Sequence, residues 1–280
     1  MNRNVKARLP LLFIFLVLLT GVGAMGYPLV SDWFSVYTAK VEIADYDAAV
    51  EEEDVSALEE MLKEAEEYNK ALSEGGGKTS VASYDDLLAV TDAIGYLEIP
   101  KLGVYMPIYH GTSDEVLQKG IGHMEDTSLP VGGASTHSVL SGHTGLPAAK
   151  ILTDLDQMEE GDRFYIHVLN RVLAYEVDQI KVVLPEETED IQIVKGEDYV
   201  TLLTCTPYGI NSHRLLVRGK RTEYVPEKVS VKPPAKTEPK KMLPLETILL
   251  CTGIAAGAAI LLIIFLILFA PGRKSKERED

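Results

Sequence analysis

The chain has 280 residues and a formal net charge of −15, with 46% hydrophobic residues, a length that allows one sizeable core with accessories. Its ends run against that balance: Arg3, Lys6 and Arg8 make the start basic, and the last ten residues carry a net positive charge, which leaves about −19 for the middle. A domain this acidic excludes the basic stripe of a nucleic-acid binder and suits a cationic partner, such as a lysine-bearing substrate.

In chain order, the first element is an apolar run at 9–30, opening with Leu11-Leu12-Phe13-Ile14-Phe15-Leu16 behind the basic residues. It reads as a retained membrane helix, because apolar character continues through Tyr27-Pro28-Leu29-Val30. A cleaved signal peptide is the alternative, with Gly23-Ala24-Met25-Gly26 as its small-residue end. Residues 40–74 carry Ala48, Val55, Leu58, Met61, Leu62, Ala65 and Tyr68 at roughly helical spacing, which predicts a helix. The run Glu51-Glu52-Glu53-Asp54 reads as a solvated helix face rather than a cation site. Gly75-Gly76-Gly77 ends the helix. The following Lys78-Thr79 has the ending of a phosphate loop, but Leu72 stands where the first glycine of that loop belongs, so the stretch reads as a hinge.

From Gly95 onward, short runs rich in Val, Ile, Tyr and Leu alternate with Gly, Pro and Asp clusters. They fall at 96–99, 139–140, 164–169, 172–183, 199–204 and 215–217. This predicts a compact, mainly β domain, a sandwich or barrel, with a tight hairpin at Asn170-Arg171. Pro226, Pro233, Pro234 and Pro239, with several lysines, then form an extended spacer. A second apolar run at 245–270 is long enough for a membrane helix. Basic residues flank the outer end of both apolar segments, which places both termini in the cytoplasm and residues 31–242 outside.

Of the two cysteines, Cys251 lies in the second apolar run, so Cys205 is alone in the polar part of the chain and no intramolecular disulfide is expected. An unpaired cysteine is either a small buried hydrophobe or a reactive thiol. Cys205 ends one strand-like run, His143 follows another, and Arg214 opens a third. Together such residues could perform acyl transfer: a thiolate nucleophile, a histidine that protonates a leaving amine, and a guanidinium fork for the developing oxyanion. His110, His123, His137, His167 and His213 rival His143, and Arg218 and Arg221 rival Arg214. No pair has the spacing of a His-Glu-x-x-His metal site.

Thr201-Leu202-Leu203-Thr204-Cys205-Thr206-Pro207 followed by Arg214-Leu215-Leu216-Val217 resembles the sortase signature around its nucleophile, and Ser141-Gly142-His143 resembles its histidine motif. Pro107-Ile108-Tyr109-His110-Gly111 is similar to an opening strand of the sortase barrel. The stretches 122–133 and 136–143, and Cys205-Thr206-Pro207-Tyr208-Gly209-Ile210-Asn211, resemble the class C, pilin-polymerising branch, over roughly Tyr27 to Arg221. The resemblance implies a closed eight-stranded β-barrel. It makes Cys205 the nucleophile, His143 the general acid/base, Arg214 the oxyanion stabiliser and Thr204 a substrate contact, with no cofactor and no metal. It implies cleavage of a Leu-Pro-x-Thr-Gly-like sorting signal between Thr and Gly, a thioester on cysteine, and attack by a lysine amine of the next pilin. One departure concerns the lid, marked in class C by Asp-Pro-aromatic just before the barrel: residues 75–86 contain no proline, so an open cleft is expected. The resulting division is a membrane segment (1–30), an acidic helical segment (31–74), a flexible linker where a lid would lie (75–94), a barrel (95–225), a spacer (226–244), a membrane helix (245–270) and a basic tail (271–280).

Overall fold

Residues 3–75, 83–144 and 151–224 are described by the structure, a computed structural model. The chain divides into two units, Met1–Gly26 with Val229–Asp280, and Tyr27–Lys228. Of the first, only the start of helix α1 (Arg3–Glu52) is described, and most of its side chains are not. Among the described residues no helix is long and apolar enough to cross a membrane. The membrane helix expected at 245–270, the spacer and the tail lie outside the described residues.

The second unit is a closed barrel preceded by helices. Its strands are β1 (Ala93–Ile99), β2 (Val104–His110), β3 (Ile121–His123), β4 (Thr136–Ser141), β5 (Arg163–Val168), β6 (Arg171–Val183), β7 (Asp198–Thr206) and β8 (His213–Thr222). They close in the order β1-β2-β3-β4-β7-β8-β6-β5, with β2–β3 and β4–β7 parallel and the other pairs antiparallel. Closure leaves no unpaired sheet edge. Alternation sends Leu140, Val200, Leu202, Leu215 and Val217 into the core, so their strand neighbours face outward. The β-rich expectation holds, and the barrel begins two residues before Gly95. Two strands carried too weak a signal to read by pattern. β3 has three residues, and β2 carries Pro107 within it, a residue that demotes a strand pattern.

The single helix expected over 40–74 is two. α1 ends at Glu52 and α2 (Val55–Ser73) begins after Asp54, whose carbonyl accepts from the amides of Ala57 and Leu58 at 2.9 and 3.1 Å. Four consecutive acids repel along a helix, and aspartate favours the N-cap backbone, so the acidic run is the break itself. α2 turns Leu58, Leu62, Ala65 and Asn69 inward, a 4-3-4 spacing that makes one face. Asn69 is buried and exchanges both amide bonds with the backbone of Leu129, at 3.0 and 2.7 Å. Gly75, at φ +76°, follows the end of α2, as the glycine run predicted.

Tyr46 ties α1 to the barrel. Its buried hydroxyl accepts from the amide of Leu169 at 2.7 Å and donates to the carbonyl of Ile94 at 3.3 Å. Burial pushes the Tyr46 hydroxyl up to about 12. Leu169 and Asn170 are the β5–β6 turn, since Val168 pairs with Arg171. The hairpin therefore turns one residue earlier than expected, with Leu169 at φ +47°, and the bond from Tyr46 holds that geometry.

The linker expected over 75–94 is fixed from Ser83 onward. Tyr84–Asp86 form a 3-10 turn, Leu87 and Leu88 are buried, and the Tyr84 hydroxyl donates to Nδ1 of His123 at 2.7 Å. Two large apolar side chains in the core offset the ordering of this stretch. Residues 76–82, most of the region where a lid would lie, are outside the described part.

Candidate active site

The site is set by register. β7 and β8 place Cys205 directly opposite Arg214, and directly opposed residues share one face of the sheet. On the other side of β7, the parallel strand β4 pairs Ser141 with Leu203, and the amide of Gly142 donates to the carbonyl of Leu203 at 3.0 Å. Extending that register two residues puts His143 level with Cys205. The Cys205 and Arg214 side chains lie on the outer face of the barrel wall, by alternation from the inward Leu202 and Leu215, and His143 follows the end of β4. All three are half-buried, and Cys205 is a free thiol.

Each member is held by its backbone surroundings. Gly142 lets the chain turn closely before His143: a Cβ there would lie 2.8 Å from the side chain of Leu152 and 3.1 Å from Ile121, so a larger residue would have to displace them. The amide of Leu152 donates to the carbonyl of His143 at 3.3 Å. The loop after Cys205 folds tightly, with the amides of Ile210 and Asn211 both donating to the carbonyl of Pro207 at 3.0 Å. Arg214 donates through Nη1 to the carbonyls of Asn211 and His213, at 3.2 and 3.1 Å. That anchors one edge of the guanidinium, and a fork of five donors has others to offer.

Thr204, expected to touch substrate, is turned the other way. It is 2% exposed, donates its hydroxyl to the carbonyl of Gly142 at 2.7 Å, and meets the hydroxyl of Thr144 at 2.5 Å. Because Thr204 donates to Gly142, Thr144 is the donor of the second bond. Thr204 thus grips the residues on both sides of His143. Alternation explains this: next to an outward Cys205, Thr204 must point inward. That signal was legible in the strand pattern; its partner Thr144, brought alongside by the parallel pairing, was not.

The rival histidines are committed elsewhere. His137 donates from Nδ1 to the carbonyl of Gln192 at 2.9 Å and accepts at Nε2 from Thr201 at 2.7 Å. His123 donates from Nε2 to the carbonyl of Ser128 at 2.9 Å, and burial lowers it to about 4. His110 donates to the carbonyl of Leu87 at 2.8 Å, and burial lowers its pKa. His167 pairs with Glu98 at 2.9 Å. His213 lies opposite Thr206, hence on the face away from Cys205 and Arg214. Among the arginines, Arg218 makes a two-point pair with Asp178 at 2.9 and 2.8 Å and stacks over Tyr199 at 4.2 Å. Arg221 lies over the ring of Tyr175. A cavity of about 600 Å³ lined by Asn69, Gly132, Arg171, Asp198 and Arg221 sits at the start of β7, the opposite end of that strand from Cys205.

A half-buried thiol with an arginine opposite it on β8 and a histidine just past the end of β4, on the wall of a closed eight-stranded barrel, defines a centre suited to cysteine acyl transfer. A family profile for the sortase domain matches residues 97–222. Similar solved structures include Clostridium perfringens sortase C (47% identical, TM-score 0.61, covering 66% of this chain and 99% of that one) and Streptococcus pneumoniae sortase C (49%, TM-score 0.60, covering 65% and 96%). Sortase D of Bacillus subtilis is 31% identical over 132 residues, which span 46% of this chain and 64% of that protein. The chain belongs to the sortase family of cysteine transpeptidases.

Proposed function

We propose that this chain is a pilin-polymerising sortase anchored in the cell membrane, its catalytic barrel outside the cell. The observation that carries the chemistry is the register that sets Cys205 opposite Arg214 and level with His143. The similar sortase C from Clostridium perfringens was solved with a C-terminal cell wall sorting motif, and the structure of that from Streptococcus pneumoniae was described in terms of pilin substrate specificity. Those relatives, with the likeness at 47–49% identity, support a sorting signal as donor and a pilin as acceptor.

In this reading the Cys205 thiolate attacks the Thr carbonyl of a Leu-Pro-x-Thr-Gly-like signal. The Arg214 fork meets the oxygen as it gains charge. Collapse breaks the Thr–Gly bond, and His143 gives its proton to the departing glycine amine. A lysine amine of the next pilin attacks the thioester, loses its proton to His143, and restores the Cys205 thiolate as the isopeptide bond forms. The acidic domain attracts a cationic acceptor. The apolar segments at 9–30 and 245–270, with their basic flanks, support two membrane anchors.

The test is mass spectrometry of the full chain incubated with a sorting-signal peptide. An acyl adduct on Cys205, discharged onto a lysine-bearing pilin when one is added, is the expected result. No adduct would sink the covalent mechanism. An adduct that only hydrolyses in the presence of pilin would make the protein a hydrolase.

A further inference from the structure

Beyond the end of the apolar run at 9–30, the face of α1 that points away from the barrel goes on presenting apolar side chains. Ala39, Ile43 and Tyr46 of this helix are buried against the rest of the unit. On a helical wheel their centre lies about 180° from a second set: Tyr27, Val30, Phe34, Tyr37, Val41, Ala44 and Ala48. All seven are exposed, and the five larger ones leave 36–66% of their surface in solvent. Monomeric soluble proteins rarely show so many apolar side chains in one stripe, and such patches mark interaction sites.

The spacing identifies the partner. The seven positions follow one another at intervals of 3, 4, 3, 4, 3 and 4 residues, the a/d seam of a heptad repeat sustained over three heptads. A strict period of 3.5 is the signature of helices that pack along one another. The flanks agree with a parallel pair. With Phe34 and Val41 at position a, Lys40 falls at g and Asp45 at the following e, and g-to-e' contacts between two copies join these opposite charges. The next such pair would oppose Asp47 with Glu52, so like charge ends the seam near Ala48. Because the barrel contact lies on the opposite side of α1, two copies can approach along the seam with their barrels outward.

We propose that α1 is a dimerisation helix, and that two copies of this chain pair in parallel along Tyr27, Val30, Phe34, Tyr37, Val41, Ala44 and Ala48. The exposed area of this seam with the adjoining Trp33 is roughly 500 Å² per copy, taking about 200 Å² for a whole aromatic side chain. A standard stable interface takes about 800 Å² per partner. The dimer is therefore concentration-dependent. Anchoring both copies in one membrane would raise their effective concentration and impose the parallel orientation.

The experiment uses the full chain in detergent micelles, in a background of Cys205→Ala and Cys251→Ala so that introduced thiols report alone. Val30→Cys at the seam should form an intermolecular disulfide at least tenfold faster than Ser35→Cys, which lies off the seam. Sedimentation should show a monomer–dimer equilibrium that Lys40→Glu or Asp45→Lys each weakens several-fold and that the double exchange restores. Trp33 is the only tryptophan, so its emission should shift to the blue as the dimer forms. Equal cross-linking at Val30 and Ser35, or a monomer at every concentration up to about 100 μM, overturns the proposal. So does a Trp33 shift that needs anionic lipid vesicles and comes without cross-linking, which would give the seam to the bilayer surface. Preferential cross-linking of Val30→Cys to a cysteine placed at Val231 of the same chain would give it to the chain's own spacer.

Discussion

Replacing Thr204 by valine keeps the side-chain shape and deletes two hydrogen bonds, the one donated to Gly142 at 2.7 Å and the one accepted from Thr144 at 2.5 Å. Either the buried carbonyl of Gly142 stays unpaired, at about 1–3 kcal/mol, or the strand exit shifts until it finds another donor. In both cases His143, the residue between the two partners, moves relative to Cys205. A displacement of about 1 Å in a reacting group can reduce rate by on the order of 100-fold. Thr204→Val is therefore expected to lower kcat by about 10- to 100-fold, or roughly 1.4–2.7 kcal/mol of barrier, with KM unchanged, because Thr204 faces the barrel interior. Thr204→Ser keeps the hydroxyl and should stay within about threefold. The assay is steady-state cleavage of a fluorescence-quenched sorting peptide, repeated in a His143→Ala background. If Thr204 acts by positioning His143, the valine substitution should have little further effect there, since coupled residues are not additive. A raised KM with normal kcat, or an undiminished loss in the His143→Ala background, would refute this account and return Thr204 to the substrate.

Cys205→Ala should abolish cleavage and polymerisation, and Arg214→Lys, which keeps the charge but loses the planar fork, should cost on the order of 100-fold or more in kcat; residual polymer from purified Cys205→Ala would contradict the first. Tyr46→Phe should lower unfolding stability by about 2–3 kcal/mol, because the Leu169 amide and Ile94 carbonyl both lose their partner, while cleavage of the sorting peptide is unchanged; chemical denaturation and the peptide assay read the two. His123, held near 4 by burial, stays neutral in the fold while the unfolded chain protonates near 6.5. Its contribution to stability is thus fully present above about 6.5 and is lost as pH falls toward 4, a change of roughly 3 kcal/mol; an NMR titration of His123 with a midpoint near 6.5 would rule this out. Trimming residues 75–83 should leave the rate of Cys205 alkylation within about twofold, because an open cleft is expected; a tenfold rise, about 1.4 kcal/mol of barrier, would mean that this segment is a lid.

One polar-domain cysteine gave a single candidate thiol, but the residues alone left it between a buried hydrophobe and a nucleophile; the acyl-transfer chemistry came from the motifs around Cys205 and His143 that resemble those of sortases. The β-rich domain was legible because short Val-, Ile-, Tyr- and Leu-rich runs set off by Gly, Pro and Asp clusters mark strands. Composition and spacing left open which of six histidines and three arginines would face that thiol, and only the resemblance singled out His143 and Arg214. That choice rests on strand register, a property of pairs of segments distant in sequence: the parallel pairing of β4 with β7, extended two residues, sets His143 level with Cys205 across 61 intervening positions, and the next strand sets Arg214 opposite it. The same pairing bonds Thr204 to the residues on both sides of His143, and its partner Thr144 is invisible without it. The break at Asp54 and the buried Asn69 show the limit from the other side. Helical periodicity runs through both; the local acidic run with its Asp54 cap makes one helix into two, and packing against the barrel puts a polar side chain in the core, because Leu129 offers it both halves of a backbone pair.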